Sequence, residues 1–439
     1  MGTVFHNAMM VQLDPPWVQP GALRVVDNRI AEVVEVSVEP EDEVIDCQGA
    51  VLTPGLVNGH THLYSALAAG MPAPPRTPSN FFEILKYVWW RLDRAHDPES
   101  IRCSGLIGAL SALRCGTTTL IDHHASPNAI PESLSHLEAG IEQAGCRALL
   151  CYETTDRNRP DEARQGLDEN RRYIQSCRDR KSSHFAGMVG AHASFTLNDD
   201  SLAGCVSLAR ELNVGIHIHV AEDPCDDAMT RAGYGCGLIE RFRKFGLLGV
   251  PDTIFAHGTH LSDADIRVIN QLPNITMAHN PSSNMNNAVG YAPVAKLVRP
   301  PVLGTDGIGS DLWREARIAQ FKSHDGKRPL PFGRPLAMLG ESARLASKYL
   351  GVKLGVLEVG AEADLVLTRY TPATPLTADN LAGHLIYAMG PEFVSDVMVA
   401  GVWRLRNGMI QSCDEVAARA ESVEIARALH DRMARISCD

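Results

Sequence analysis

The sequence predicts an α/β fold: a (β/α)8 barrel with a small β-sandwich domain formed by the N- and C-terminal segments. Three observations predict it. From residue 54 onward, eight short apolar runs rich in β-branched residues alternate with helical stretches, the pattern of a parallel sheet with crossover helices. The two chain ends instead alternate apolar and polar residues over short runs separated by turns. The chain has 439 residues, enough for such a barrel with a second unit beside it.

The elements follow in order. Residues 1–53 form the first part of the small β-domain, with a hairpin over 22–34 turning at Asp27-Asn28 and a further alternating run at 43–48. These strands are too few to form a stable sheet alone and need partners. Residues 54–355 form the barrel, with strands at 56–62, 117–123, 147–153, 186–193, 214–221, 253–257, 275–280 and 301–306. Asp97 caps a helix that Pro98 opens and Gly116 closes, and Leu106, Leu110 and Leu113 share one of its faces. Further helices are expected near 131–144, 160–180, 199–212, 235–246 and 262–271. The insert at 64–96 carries Arg76, Phe81, Phe82, Trp89 and Trp90, at the barrel end where loops build sites. Residues 356–412 return to strand character and complete the small domain. Residues 413–439 form a C-terminal helix, whose stripe of Val416, Ala420, Val423 and Met433 suits its own barrel or an oligomer contact.

Composition narrows the function. Hydrophobic residues make up 45% and charged residues 21%, a globular balance. A formal net charge of -11 without a basic cluster argues against nucleic acid as a partner. No apolar run approaches the roughly 18 residues of a membrane span, and residues 1–15 lack a signal-peptide pattern. Eleven scattered cysteines without a Cys-x-x-Cys pair read as reduced thiols of a cytoplasmic protein.

The chemistry gathers at strand ends. In 54–62, Pro54-Gly55-Leu56-Val57-Asn58-Gly59-His60-Thr61-His62, the two histidines lie two residues apart on one face of a strand and can reach one metal ion. In 215–222, Ile216, Ile218 and Val220 face one way; His217, His219 and Ala221 face the barrel interior, with His219 nearer the C-terminal rim and Glu222 just beyond. His257 ends the sixth run. The eighth ends in Asp306-Gly307, an aspartate able to ligate a metal and to accept a proton from its water. Topology thus brings His60, His62, His219 and Asp306 together. Three histidines and one carboxylate suit Zn²⁺, with Fe²⁺ and Mn²⁺ also compatible.

Gly55-Leu56-Val57-Asn58-Gly59-His60-Thr61-His62, His219-x-x-Glu222, Ala256-His257, His279-Asn280-Pro281-Ser282-Ser283-Asn284 and Gly304-Thr305-Asp306 resemble the amidohydrolase superfamily, in its cytosine deaminase, guanine deaminase and chlorohydrolase branch. Asp122-His123-His124-Ala125-Ser126-Pro127, Arg76-Thr77-Pro78 and Trp89-Trp90-Arg91-Leu92-Asp93 resemble the SsnA-like aminohydrolases. The resemblance covers nearly the whole chain. It implies that His60, His62, His219 and Asp306 hold one divalent metal, Zn²⁺ first. It implies that Asp306 takes a proton from the metal's water, that Glu222 shuttles protons to the ring nitrogen and leaving amine, and that His257 orients the nucleophile. His192 matches a position that faces substrate. The fourth run offers no lysine or glutamate to bridge a second metal.

Five residues are candidates for substrate contact: His192, His123 (or its neighbour His124), Arg76, Trp89 and Asn284. Arg76 suits a substrate carboxylate or carbonyl, or plain solvation. Trp89 and Trp90 suit loop packing or a stacking platform. Asn284 suits substrate contact or loop positioning. The expected activity is deamination of a small N-heterocycle of purine, pterin or pyrimidine type, by attack of a metal-bound hydroxide with release of ammonia. The alternative is hydrolysis of a cyclic amide or amidine, or of a triazine C–Cl bond, at the same mononuclear site. The expected partners are a small-molecule substrate and further copies of the chain in a homo-oligomer, with no nucleic acid and no membrane.

Overall fold

Eight strand positions follow one another around a parallel barrel: Leu56–Thr61, Thr117–His124, Arg147–Thr154, the pair Phe185–Gly187 and Val189–Ala193, Ile216–Val220, Thr253–His257, Ile275–His279 and Val302–Leu303. The computed structural model describes residues 2–438. The fourth strand is broken at Met188. Its first half pairs with the third strand; its second half pairs with the third and fifth.

The eighth strand is shorter than the run 301–306, because the chain there leaves the ladder to close the barrel. The His60 carbonyl accepts the backbone N–H of both Thr305 and Asp306 at 3.0 Å, and Thr61 bridges to Asp306. Closure requires close approach. A Cβ on Gly59 would lie 2.6 Å from Val302 Cβ, and one on Gly304 would lie 2.6 Å from the His60 carbonyl oxygen. Larger residues would hold the first and last strands apart.

The helices form where local chemistry favours them. Pro98–Arg114 starts on Asp97, whose side chain accepts the Ser100 N–H at 2.9 Å, and Gly116 follows its end in the left-handed conformation. Its buried face carries Leu106, Leu110 and Leu113.

The chain ends form one nine-stranded sheet. Its order runs Met409–Ile410, Val402–Arg406, Val394–Val399, Leu365–Thr368, Val51–Pro54, Gly2–Gln12, Trp17–Val26 and Arg29–Val34, with Glu43–Asp46 paired beside Gly2–Gln12. Phe5, Met10, Leu23, Ile30, Leu365 and Met398, drawn from across that order, meet in one core, so the sheet curls over itself.

The helix Glu415–Ala434 buries Ala418, Ile425, Leu429 and Met433, whereas Val416 and Val423 are 81% and 55% exposed. Of the sequence stripe only Met433 packs on this chain; Val416, Ala420 and Val423 face outward. Ile425, Leu429 and Met433, each one turn from the next, pack against Tyr64, Leu67 and Leu92.

Arg147, fully buried at the start of the third strand, joins barrel and sheet. It donates to Asp364 at 2.9 and 3.1 Å and to Glu362 at 2.7 Å. Removing one partner of a buried ionic cluster strands the others in low dielectric. Arg147→Ala should lower stability by about 3–5 kcal/mol in urea denaturation. A loss under about 1 kcal/mol would show that water reaches the two carboxylates.

Candidate metal centre and active site

The C-terminal rim of the barrel carries the site, and unusual backbone aims its side chains. Ala221, His257 and Asp306 follow or end the fifth, sixth and eighth strands with φ of 49°, 72° and 53°. Left-handed conformation costs a non-glycine residue about 1–3 kcal/mol. All three outliers fall on elements that present Glu222, His257 or Asp306 to the cavity mouth.

His60, His62, His219 and Asp306 are buried, and their ligand atoms lie within 4.8 Å of one another. His62 Nε2 lies 2.9 Å from Asp306 Oδ1 and 3.1 Å from His219 Nε2; His60 Nε2 lies 3.2 Å from Asp306 Oδ1. The tautomers follow from the far side of each ring. His62 Nδ1 donates to the His123 carbonyl at 2.5 Å, and His219 Nδ1 donates to the His192 carbonyl at 2.9 Å. A carbonyl only accepts, so in the neutral rings both Nε2 atoms hold lone pairs. Two lone pairs and a carboxylate crowded together repel unless positive charge sits among them. The same demand pushes the His62 pKa up to about 9: burial works against its charge, and Asp306 outweighs burial. Three neutral imidazoles with one carboxylate therefore fit a divalent cation such as Zn²⁺.

The carboxyls beside this cluster are driven apart. Burial, and then the Asp306 charge, hold the Glu222 pKa well above the carboxylate range. Burial also opposes ionisation of Asp306, but hydrogen bonds from His60 and His62 outweigh it and hold its pKa well below the ordinary value. Ser283 Oγ donates to Asp306 Oδ2 at 2.5 Å. The two carboxyls thus favour opposite protonation states within one site. His257 Nε2 lies 3.5 Å from Glu222, and its Nδ1 donates to Asn284 Oδ1 at 2.8 Å. Asn287 reaches Glu222 at 3.4 Å.

These groups open on one cavity at the barrel rim. Phe81, Leu85, Trp90 and Phe195 give it an apolar wall; Glu153, Arg157 and His192 form its polar end. Of the residues expected at substrate, His192 and Trp89 line it. His123 lies one layer beneath: its Nε2 donates to the carbonyls of Ala191 and His217 at 3.1 Å. His124 turns away to Ser126 Oγ, at 3.0 Å. Asn284 stands behind His257, whose ring it orients. Arg76 is exposed and lies outside this lining, because the proline-rich stretch 72–78 carries it over the surface.

Sequence reasoning passed over Glu153, Arg157 and Asp93. Arg157 bonds Glu153 at 2.6 Å and Asp93 at 3.2 Å, and its guanidinium sits 4.8 Å above the Trp90 ring. Glu153 was findable: it stands near the end of the third strand, as His62 follows the end of the first.

A rim that gathers lone pairs where a divalent cation would sit, with a carboxyl held toward its protonated form beside it, would make water reactive and supply protons. Fold and site together define a metal-dependent hydrolase. The chain belongs to the amidohydrolase family, which it matches over residues 51–404. It is 31% identical over 404 residues to a 5-methylthioadenosine/S-adenosylhomocysteine deaminase of Desulforudis audaxviator, covering 88% of this chain and 89% of that one. It is 28% identical to a 5'-deoxyadenosine deaminase of Methanosarcina mazei, over 98% and 99% of the two chains. An adenosine deaminase of Xanthomonas campestris, solved with bound zinc, shares the fold with a TM-score of 0.83 at 24% identity over 99% of each chain. The protein is accordingly a hydrolase of carbon–nitrogen bonds other than peptide bonds, which deaminates a small nitrogen heterocycle.

The C-terminal segment holds the Trp89–Trp90 wall in place. Arg91 donates to the carbonyls of Ile436 and Met433 at 2.9 and 2.8 Å, and His430 bonds the Leu67 carbonyl at 2.9 Å. Charged hydrogen bonds of this kind contribute about 1.5–3 kcal/mol each. Arg91→Ala should raise KM about tenfold while metal content stays unchanged. An unaltered KM would show that the wall stands without its C-terminal clamp.

Proposed function

We propose that this enzyme hydrolyses the 6-amino group of an adenine nucleoside, using one Zn²⁺ held by His60, His62, His219 and Asp306. The observation that carries the reading is the opposed pair at the cavity floor: Glu222 held neutral by burial and Asp306 held anionic by two histidines. Deamination of a ring needs both, one group to give the ring a proton and one to take a proton from water.

When bound, the cation lowers the pKa of water toward neutrality and polarises the reacting centre. Asp306 takes a proton from the attacking water. His257, its Nδ1–H fixed by Asn284, offers the Nε2 lone pair to that water and aims it at C6. Glu222 gives its proton to ring N1. The proton held by Asp306 then passes to the amino group, the C6–N bond breaks, the C6 hydroxyl proton returns to Glu222, and the products are the 6-oxo ring and ammonia. The His192 side chain, anchored by Thr196 Oγ1 at 2.7 Å, and the Trp89–Trp90 wall hold the ring.

Two further observations support a nucleoside. The relatives named above act on adenosine derivatives by their names. The Arg157 cation is already matched by Glu153 at 2.6 Å with Asp93 alongside, which leaves little attraction for a phosphate. A cytoplasmic homo-oligomer belongs to the same proposal; the exposed Tyr387 ring, with the exposed Phe321 and Phe332 rings each against it, supports self-association.

The test is ammonia release from metal-replete protein offered adenosine, 5'-deoxyadenosine, 5'-methylthioadenosine, AMP, guanine, cytosine and an aminotriazine. The 5'-modified adenosines should be turned over and AMP refused. Glu222→Gln should lower kcat by about 10²–10⁴ with KM little changed. Turnover of guanine or the triazine alone would contradict the nucleoside reading.

A further inference from the structure

One short segment touches all three groups to which the proposed chemistry assigns a proton or the attacking water. In the helix Pro281–Asn286 and the residue after it, Ser283, Asn284 and Asn287 are buried, while Met285 and Asn286 are exposed. Residues four apart share a helix face, so the three buried side chains point the same way. That face meets the rim group by group. Ser283 Oγ donates to Asp306 Oδ2 at 2.5 Å, Asn284 Oδ1 accepts the His257 Nδ1–H at 2.8 Å, and Asn287 Nδ2 donates to Glu222 Oε1 at 3.4 Å. A tilt or slide of this segment therefore moves three reacting groups at once.

So short a helix does not hold itself in place. Pro281 has no N–H to be capped, and Asn280, at the capping position, makes no side-chain cap bond. The cap comes from another element. Glu315, on the helix Leu312–Asp325, accepts the Ser282 N–H through Oε2 at 3.0 Å. That helix begins shortly after Asp306, so one carboxyl ties the segment after the seventh strand to the chain leaving the eighth. Glu315 is fully buried and lies outside the lining of the catalytic cavity, with Arg314 Nη2 3.6 Å from its Oε1. Burial pushes its pKa up to about 7. Burying a carboxyl costs free energy that a hydrocarbon side chain of similar size would not. What this carboxyl secures in return is the Ser282 N–H.

We propose that Glu315 is a positioning residue for the reaction: through the Ser282 N–H it sets the segment 281–287, and through that segment the mutual alignment of Asp306, His257 and Glu222. This rests on the deaminase reading above, which gives those three groups their roles. Glu315 touches no reacting atom and no cavity wall, so its effect falls on the rate and not on the binding of substrate. A displacement of about 1 Å among reacting groups costs about a hundredfold in rate.

The test uses the metal-replete full chain and whichever heterocycle of the panel releases ammonia. Glu315→Leu removes the acceptor and keeps the space filled; Glu315→Gln keeps a carbonyl oxygen for the Ser282 N–H. Glu315→Leu should lower kcat about thirtyfold to a hundredfold, with KM and metal content within about twofold of the parent chain. Glu315→Gln should restore kcat to within about fivefold of the parent. Glu315→Asp, whose shorter side chain withdraws the acceptor, gives the same reading if Glu315→Leu fails to fold. In a chain carrying Asn284→Ala and Asn287→Ala, Glu315→Leu should cost about threefold less than in the parent, or less still, because part of its route is already cut. A kcat within about twofold of the parent in folded, metal-replete protein lacking the acceptor overturns the inference and leaves deamination standing. An equal loss in Glu315→Gln and Glu315→Leu overturns it too, since the charge and not the acceptor would then matter. So does a rise in KM, or a fall in metal content, that matches the whole loss of activity. No ammonia from any member of the panel with the parent chain overturns the deaminase reading itself, and the inference with it.

Discussion

The crowding of lone pairs at the barrel rim governs the rest of the structure. His62 and His219 each spend Nδ1–H on a backbone carbonyl, so in the neutral rings their Nε2 lone pairs face each other at 3.1 Å and call for a proton or a cation among them. Asp306 adds a negative charge 2.9 Å away. Such an arrangement persists only if the surrounding fold fixes it and a cation resolves it. The fold does fix it. The His60 carbonyl, by accepting Thr305 and Asp306 together, both closes the barrel and sets the Asp306 carboxylate in place. Strand closure and metal geometry are one constraint, which is why the last strand is only two residues long.

From that centre the electrostatics spread outward. Burial first, and then the ionised Asp306 carboxylate close by, make Glu222 expensive to ionise, so it favours its protonated form. His257 is held neutral, chiefly by burial, and its orientation comes from Asn284. The apolar wall beyond is held from outside by the C-terminal segment through Arg91 and His430. The candidate catalytic groups therefore sit at strand ends, while the Trp89–Trp90 wall proposed to hold the ring sits on an insert anchored by the far end of the chain.

Much of this was legible in the sequence because both strand periodicity and metal-ligand chemistry are local. Two residues of spacing put His60 and His62 on one face, and alternation put His219 inside. The Asp97 cap, Pro98 and Gly116 marked a helix within a residue of its bounds. What remained hidden depends on contacts distant in sequence. The face of the last helix that packs on its own chain was hidden, apart from Met433, because its partners Tyr64 and Leu92 lie over 300 residues earlier. Arg76 was read toward the site on chemistry alone, while the prolines around it keep it on the surface. Arg157 escaped notice because its role comes from Trp90 and Asp93, which only the folded insert brings to it. The left-handed backbone at Ala221, His257 and Asp306 has no signature in residue type at all.

The measurement that tests the central claim most directly is the metal content of the purified protein, by plasma mass spectrometry, beside its ammonia release before and after chelation. The lone-pair cluster predicts one equivalent of a divalent transition metal per chain, activity lost on chelation, and activity restored by Zn²⁺. Full turnover by protein that holds no metal would contradict the account, as would two tightly bound equivalents per chain.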